Sequence, residues 1–147
     1  MQRFSLVSSP SSSCGLVQGS LFAAEPLTLI PGAEEGVRYW PPRLSAEQQQ
    51  AWFRQLLEAV PWQQERRQMY ERMLDVPRLH ASLPVAEACA IPAVLGALQL
   101  AQELVPAPFT HVGFNLYRNG QDSVAMHNDR LHNLAPGQPI VLVSLGH

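Results

Sequence analysis

The sequence predicts an α+β domain in which helices occupy the middle of the chain and strands make up its last third. Two apolar stripes at helical spacing predict the helices. An alternating segment, an Asn-Gly turn and a continuous apolar run predict the strands. The 147 residues suffice for one domain with a hydrophobic core and leave little room for a second.

The beginning of the chain has little helical or strand periodicity. Residues 1–20 are rich in serine, and we expect them to form a poorly ordered leader before the domain at 21–147. Short extended segments on either side of Pro31-Gly32 predict two strands within 27–39.

Two helices follow. Ser45 and Gln48 form a capping-box pattern, and the apolar stripe from Trp52 to Val60 ends at Pro61. Pro92 is a good first residue for the second helix, whose apolar side is Val94, Leu95, Leu98, Ala101 and Val105.

The segment between the two helices, 62–84, is less periodic. Its arginines can contact phosphate groups, but we favour the solvated side of a helix for Arg66, Arg67 and Arg72.

The last third alternates as a strand does. From His111 to Arg118, one face carries Val112, Phe114 and Leu116, and the other Gly113, Asn115 and Tyr117. Asn119-Gly120 predicts a type I′ hairpin, with a partner strand from Ser123 to about Asp129. The apolar run from Ile140 to Leu145 predicts a strand buried on both faces.

His127 and Asp129 are the candidate metal ligands. Residues two apart on a strand share a face, so an imidazole nitrogen and a carboxylate oxygen can meet at one point. They are two of the three ligands of a 2-His-1-carboxylate iron site. Taken alone, the pair is more often a surface hydrogen-bonded pair. The amide of Asn115 and the hydroxyl of Tyr117 suit a ligand carboxylate. From the residues alone we favour the alternative, in which Asn115 caps a bulge and Tyr117 packs with its hydroxyl at the surface.

The segment from Phe114 to Asp129 resembles the central block of the AlkB dioxygenases, which have an N-x-Y-R-x-G-x-D-S strand and turn leading into H-x-D. The resemblance extends through Pro139-Ile140 to Ser144-Leu145-Gly146, and more weakly upstream to residue 27. It implies an incomplete double-stranded β-helix, or jelly roll, with flanking amino-terminal helices. It also implies iron(II), 2-oxoglutarate and O2, with His127 and Asp129 as iron ligands and Asn115 and Tyr117 as 2-oxoglutarate contacts.

The implied reaction is oxidative dealkylation of alkylated nucleobases, as in DNA repair. Three features depart from the family. The family's distal histidine and its 2-oxoglutarate-binding arginine would lie beyond His147. We therefore expect residues 1–147 alone to show no turnover. Leu131 stands where repair members carry an acidic residue. The segment from His80 to Pro84 replaces a tyrosine-glycine pair over the substrate. The alternative is an inactive remnant, or a weak nucleic-acid- or partner-binding module.

Composition limits the other function classes. A formal net charge of -2 gives no basic excess that would indicate nucleic-acid binding. Cys14 and Cys89 form no metal or disulfide motif, and we expect both thiols to be reduced. No apolar run approaches the ~20 residues of a membrane span. We therefore expect a cytoplasmic monomer that binds no membrane.

Overall fold

The computed structural model describes residues 2–8, 25–32, 36–69, 72–124 and 135–146. They form an antiparallel sheet of five strands, a separate two-stranded hairpin and three helices, which confirms the predicted α+β class. None of the described helices is long and apolar enough to cross a membrane. The elements in chain order are β1 (Gln2–Ser8), β2 (Leu27–Ile30), β3 (Val37–Tyr39), α1 (Ala46–Ala59), β4 (Gln63–Met69), β5 (Arg72–Pro84), α2 (Val85–Ala88), α3 (Pro92–Leu104), β6 (Phe109–Leu116) and β7 (Ile140–Leu145).

The large sheet has the strand order β4-β5-β6-β1-β7, so the first strand of the chain lies inside it. β1 pairs antiparallel with both β6 and β7. The prediction of a poorly ordered leader differs from the structure over Gln2–Ser8, and 9–20 lie outside the described residues. The alternation of Phe4 and Leu6 with polar neighbours is a strand signal, but the serine-rich composition of the segment obscures it.

The two long helices form where the sequence predicts them. Ser45 Oγ accepts from Gln48 N at 3.2 Å, and Gln48 Oε1 accepts from Ser45 N at 3.1 Å, which completes the capping box of α1. α3 begins at Pro92, with no side-chain cap of its own. Gln55 of α1 instead accepts from the Ala93 N–H at 3.0 Å. This bond satisfies an orphan donor of α3 and joins the two helices.

The core lies between the helices and one face of the sheet, here called the inner face. Val112, Phe114 and Leu116 are buried on it, as the alternation of β6 predicts. Phe114 is 1% exposed and meets the edge of Trp62 at a centroid distance of 6.3 Å. Leu56 of α1, together with Val94 and Leu98 of α3, completes the buried cluster. By contrast, Leu95 is 41% exposed, so the apolar side predicted for α3 is wrong at this residue.

The segment between the helices is a β-hairpin. β4 and β5 pair antiparallel, with Gln63 opposite His80 and a shift in register between Gln64 and Arg66. The helix interpretation of Arg66, Arg67 and Arg72 is therefore wrong, because their backbones belong to strands. Charged and polar residues dominate β4, so strand periodicity is not visible in its sequence. Pairing with β5 decides the conformation.

β7 and the turn after β6 also differ from their predictions. β7 is a strand, but Ile140 and Leu142 are 40% and 51% exposed, so it is not buried on both faces. Its Val141, Val143 and Leu145 face the core. Gly120 does not adopt positive φ, and residues 122–124 are not in a strand, which excludes the predicted type I′ hairpin there. The rest of the predicted partner strand, 125–129, lies outside the described residues.

We predict opposite effects of alanine at two glycines. A Cβ at Gly96 would lie 2.6 Å from Trp52 Cζ2, whereas a Cβ at Gly120 would have no atom within 4 Å. Gly96→Ala should lower the free energy of unfolding by about 1–2 kcal/mol, because overpacking outweighs the better helix propensity of alanine. Gly120→Ala should leave it unchanged or raise it by up to about 1 kcal/mol.

Urea denaturation of both variants and the wild type provides the measurement. A loss above about 1 kcal/mol in Gly120→Ala would indicate positive φ at the turn and contradict the structure. Unchanged stability in Gly96→Ala would show that Trp52 does not pack against α3.

Candidate cofactor site on the outer face of the sheet

The face of the sheet opposite the core, here called the outer face, carries the first candidate residue. Asn115 lies on β6, in register with His80 of β5 on one side and Arg3 of β1 on the other. It alternates with Phe114 and Leu116, whose burial on the inner face directs Asn115 outward. Asn115 is half-buried although the outer face holds exposed residues such as Ser82 and Ser144. The middle of the sheet therefore shields it from solvent.

Tyr117 follows β6 directly. It is half-buried and stands one residue beyond Leu116, the last residue of the strand. Strand alternation relates it to Asn115, two positions earlier. The structure thus keeps the amide and the phenol within one short stretch at the end of β6. Their predicted role as 2-oxoglutarate contacts remains a prediction.

An ion pair closes the loop that leaves the strand. Arg118 donates from its backbone N and from Nε to Asp122 Oδ2, each at 2.8 Å, and from Nη2 to Oδ1 at 2.9 Å. The side chain of Asp122 is only 7% exposed. The hydrogen bonds from Arg118 hold the pKa of Asp122 at about 2, and they raise the pKa of Arg118 above its ordinary value.

Asn119 stabilises the same loop. Its Oδ1 accepts from Gln121 N at 2.9 Å, and its backbone oxygen accepts from Asp122 N at 3.2 Å. An Asx turn of this kind replaces the left-handed backbone that a type I′ hairpin needs. The Asn-Gly pair therefore does mark a turn, but a side-chain hydrogen bond sets its conformation.

Gln64 connects this loop to the edge of the sheet. Arg118 Nη1 donates to Gln64 Oε1 at 3.5 Å. Gln64 Nε2 in turn donates to the backbone oxygens of Val76 and Arg78 in β5. Hydrogen bonds therefore connect the start of the loop after β6 to both β4 and β5. Nearby, Arg66 and Asp75 form an exposed ion pair at 2.9 Å.

The predicted metal ligands His127 and Asp129 lie outside the described residues, as do Leu131, His132 and His147. The described residues contain no group of three His, Cys, Asp or Glu side chains that could hold a metal ion. Iron binding therefore stays a prediction. Cys89 is a free thiol, and burial raises its pKa; Cys14 is not among the described residues.

His80 is a neighbour of Asn115 that the sequence does not reveal. In the sequence, 80–84 stand where the resembled family has a tyrosine-glycine pair over the substrate, and the structure places these residues in β5. His80 is in register with Asn115 and is likewise half-buried. Pairing between residues 35 positions apart has no local signal, so sequence analysis could not find this contact.

Comparison of this chain with protein-family models, with curated proteins and with solved structures finds no match.

We predict a pH-dependent contribution of Asp122 to stability. Its pKa falls from 3.8 to about 2 on folding, so its carboxylate stabilises the fold above pH 3.8 and loses this effect as the pH falls through 2. The difference in free energy of unfolding between the wild type and Asp122→Asn should be largest near neutral pH and shrink between these two values.

Urea denaturation from neutral pH to pH 2 measures this difference. Asp75→Asn is the matched control, because an exposed ion pair such as Arg66–Asp75 contributes little. If Asp122→Asn shows the same pH dependence as the wild type, the Arg118–Asp122 pair does not stabilise the loop.

Proposed function

We propose that the protein is an iron(II)- and 2-oxoglutarate-dependent dioxygenase of the AlkB type. The observation that carries the proposal is the run from Asn115 to Asp129, in which an Asn-x-Tyr pair, an Arg-Asp pair and H-x-D follow in the order of that family. The position of Asn115 on the shielded middle of the outer face supports it. A ligand bound there would contact a rigid sheet, as a precise site requires.

The donor set suits the proposed metal. His127 and Asp129 would hold iron(II) with one imidazole and one carboxylate, which are ligands of the facial-triad class. When bound, the metal and O2 supply the oxidising chemistry. Asn115 would donate its amide hydrogens, and Tyr117 its hydroxyl hydrogen, to carboxylate oxygens of 2-oxoglutarate. The Arg118–Asp122 pair would fix the start of the segment that leads to His127.

The finer fold belongs to the same proposal. We infer that the five-stranded sheet is one layer of a double-stranded β-helix. Its pairs are all antiparallel, and one face packs on helices. The apolar side chains of Ile140 and Leu142 remain exposed on the outer face, as expected of a layer that a second sheet would cover.

The substrate follows from the resemblance alone. We propose an alkylated nucleobase in DNA or RNA, in which hydroxylation of the alkyl carbon lets the adduct break down and release an aldehyde. Succinate and carbon dioxide would form from 2-oxoglutarate. Leu131, in place of an acidic residue, is the departure that bears on this substrate.

Metal binding tests the proposal. Titration of the chain with cobalt(II), followed by calorimetry or visible absorption, should show weak binding. His127→Ala and Asp129→Ala should each weaken it by more than about tenfold, because loss of a ligand costs at least as much as loss of its support. His132→Ala, which removes a histidine five positions after His127 in the sequence, is the matched control and should bind as the wild type does.

Equal binding by the wild type and Asp129→Ala would contradict the metal site and favour the inactive remnant. A weak binding module predicts a different result, namely a gel shift with nucleic acid whose affinity falls with salt while the metal variants have no effect.

A further inference from the structure

A row of polar residues crosses the outer face of the sheet at the level of Asn115. Cross-strand register aligns one residue from each of the five strands: Gln63, His80, Asn115, Arg3 and Ser144. Its side chains on β4, β5, β6 and β7 include one histidine and no carboxylate. The absence of negative charge among these described residues is compatible with an anionic ligand.

The neighbouring row leaves space beside Asn115. Ser82 and Gly113 are in register there, and Leu142 of β7 stands in the same row. Glycine has no side chain and serine has a small one, so a ligand can approach β5 and β6 closely at this level. Towards β7 the outer face becomes apolar, with Leu142 and then Ile140 exposed.

Arg78 adds an independent observation. It immediately precedes Leu79, which is opposite Leu116, so the next step of the register sets Arg78 beside Tyr117. Arg78 is half-buried, and its Nε is buried without a hydrogen-bond partner in the part of the chain that the structure describes. A half-buried guanidinium with an unsatisfied donor is costly, and an anion bound at its remaining nitrogen atoms would lower the electrostatic part of that cost.

We propose that His80 and Arg78 of β5 bind a carboxylate group of the ligand held by Asn115 and Tyr117. The two strands then form one carboxylate-binding cluster, defined by His80, Arg78, Asn115 and Tyr117. Directly paired residues have Cβ atoms about 5 Å apart, so the His80 ring and the Asn115 amide can reach the same oxygen atoms. The assignment rests on the proposed function for the identity of the ligand, 2-oxoglutarate.

2-Oxoglutarate has two carboxylates, and Arg78 would supply a cation in addition to the arginine that the family resemblance implies. 2-Oxoglutarate is a dianion, and a metal site neutralises charge at its oxo-acid end only. Asn115 and Tyr117 supply hydrogen bonds but no positive charge. The guanidinium of Arg78 provides both a charge and the planar donor pair that suits a carboxylate.

The experiment is an NMR titration of the full chain with 2-oxoglutarate in the presence of zinc(II), a diamagnetic substitute for iron(II). The His80 ring signals, assigned by comparison with His80→Gln, should shift in a saturable manner. Arg78→Gln and His80→Leu should weaken binding by about tenfold or more, the usual effect of losing a hydrogen bond to a charged group. His80→Gln, which retains a donor, should keep most of the affinity.

Two matched controls separate contact from general damage. His111→Leu removes a histidine from the same face of β6, and Arg54→Gln removes an exposed arginine from α1. Both should bind 2-oxoglutarate as the wild type does. If Arg78→Gln does not fold, the shift of the His80 signals in the wild-type chain still tests the cluster.

The outcomes distinguish this inference from the proposed function. If 2-oxoglutarate binds and Asn115→Ala weakens it, but the β5 variants bind normally and the His80 signals do not move, the cluster is wrong and the dioxygenase proposal stands. If the wild type binds no 2-oxoglutarate, both are overturned.

Discussion

β6 has to satisfy two environments at once, and this constraint shapes the rest of the molecule. Its odd and even positions point to opposite faces, so the burial of Phe114 against Trp62 forces Asn115 onto the outer face. A slip of one residue would exchange the two and place an amide in the core. The apolar contacts of the inner face therefore fix the direction of the polar groups on the other. Packing and the candidate site share one strand.

Elements with local signals could be predicted from the sequence. The capping box at Ser45, the proline that starts α3 and the alternation of β6 each depend on residues within a few positions of one another. For the same reason Asn115 and Tyr117 could be proposed as a pair, since they are two residues apart on one strand. The part of the candidate site that lies along a single strand could therefore be predicted from the sequence.

Elements that depend on distant pairing could not be predicted. β1 is inserted between β6 and β7, and the polar strand β4 forms only because β5 lies beside it. The exposure of Leu142 reflects which sheet face the helices cover, and no local pattern records that choice. His80 came within reach of Asn115 through the same long-range register. The two residues that β5 contributes to the proposed carboxylate cluster, Arg78 and His80, therefore could not be predicted from the sequence.

The central claim is that the outer face of β6 binds 2-oxoglutarate while its inner face serves only the core. The most direct measurement follows the side-chain amide of Asn115 by 1H–15N NMR during titration with 2-oxoglutarate and zinc(II). We predict a saturable shift of this signal, with the ring signals of Phe114 unchanged in the core. Binding that moves neither Asn115 nor any residue of β5 would contradict it, because the ligand would then occupy another surface.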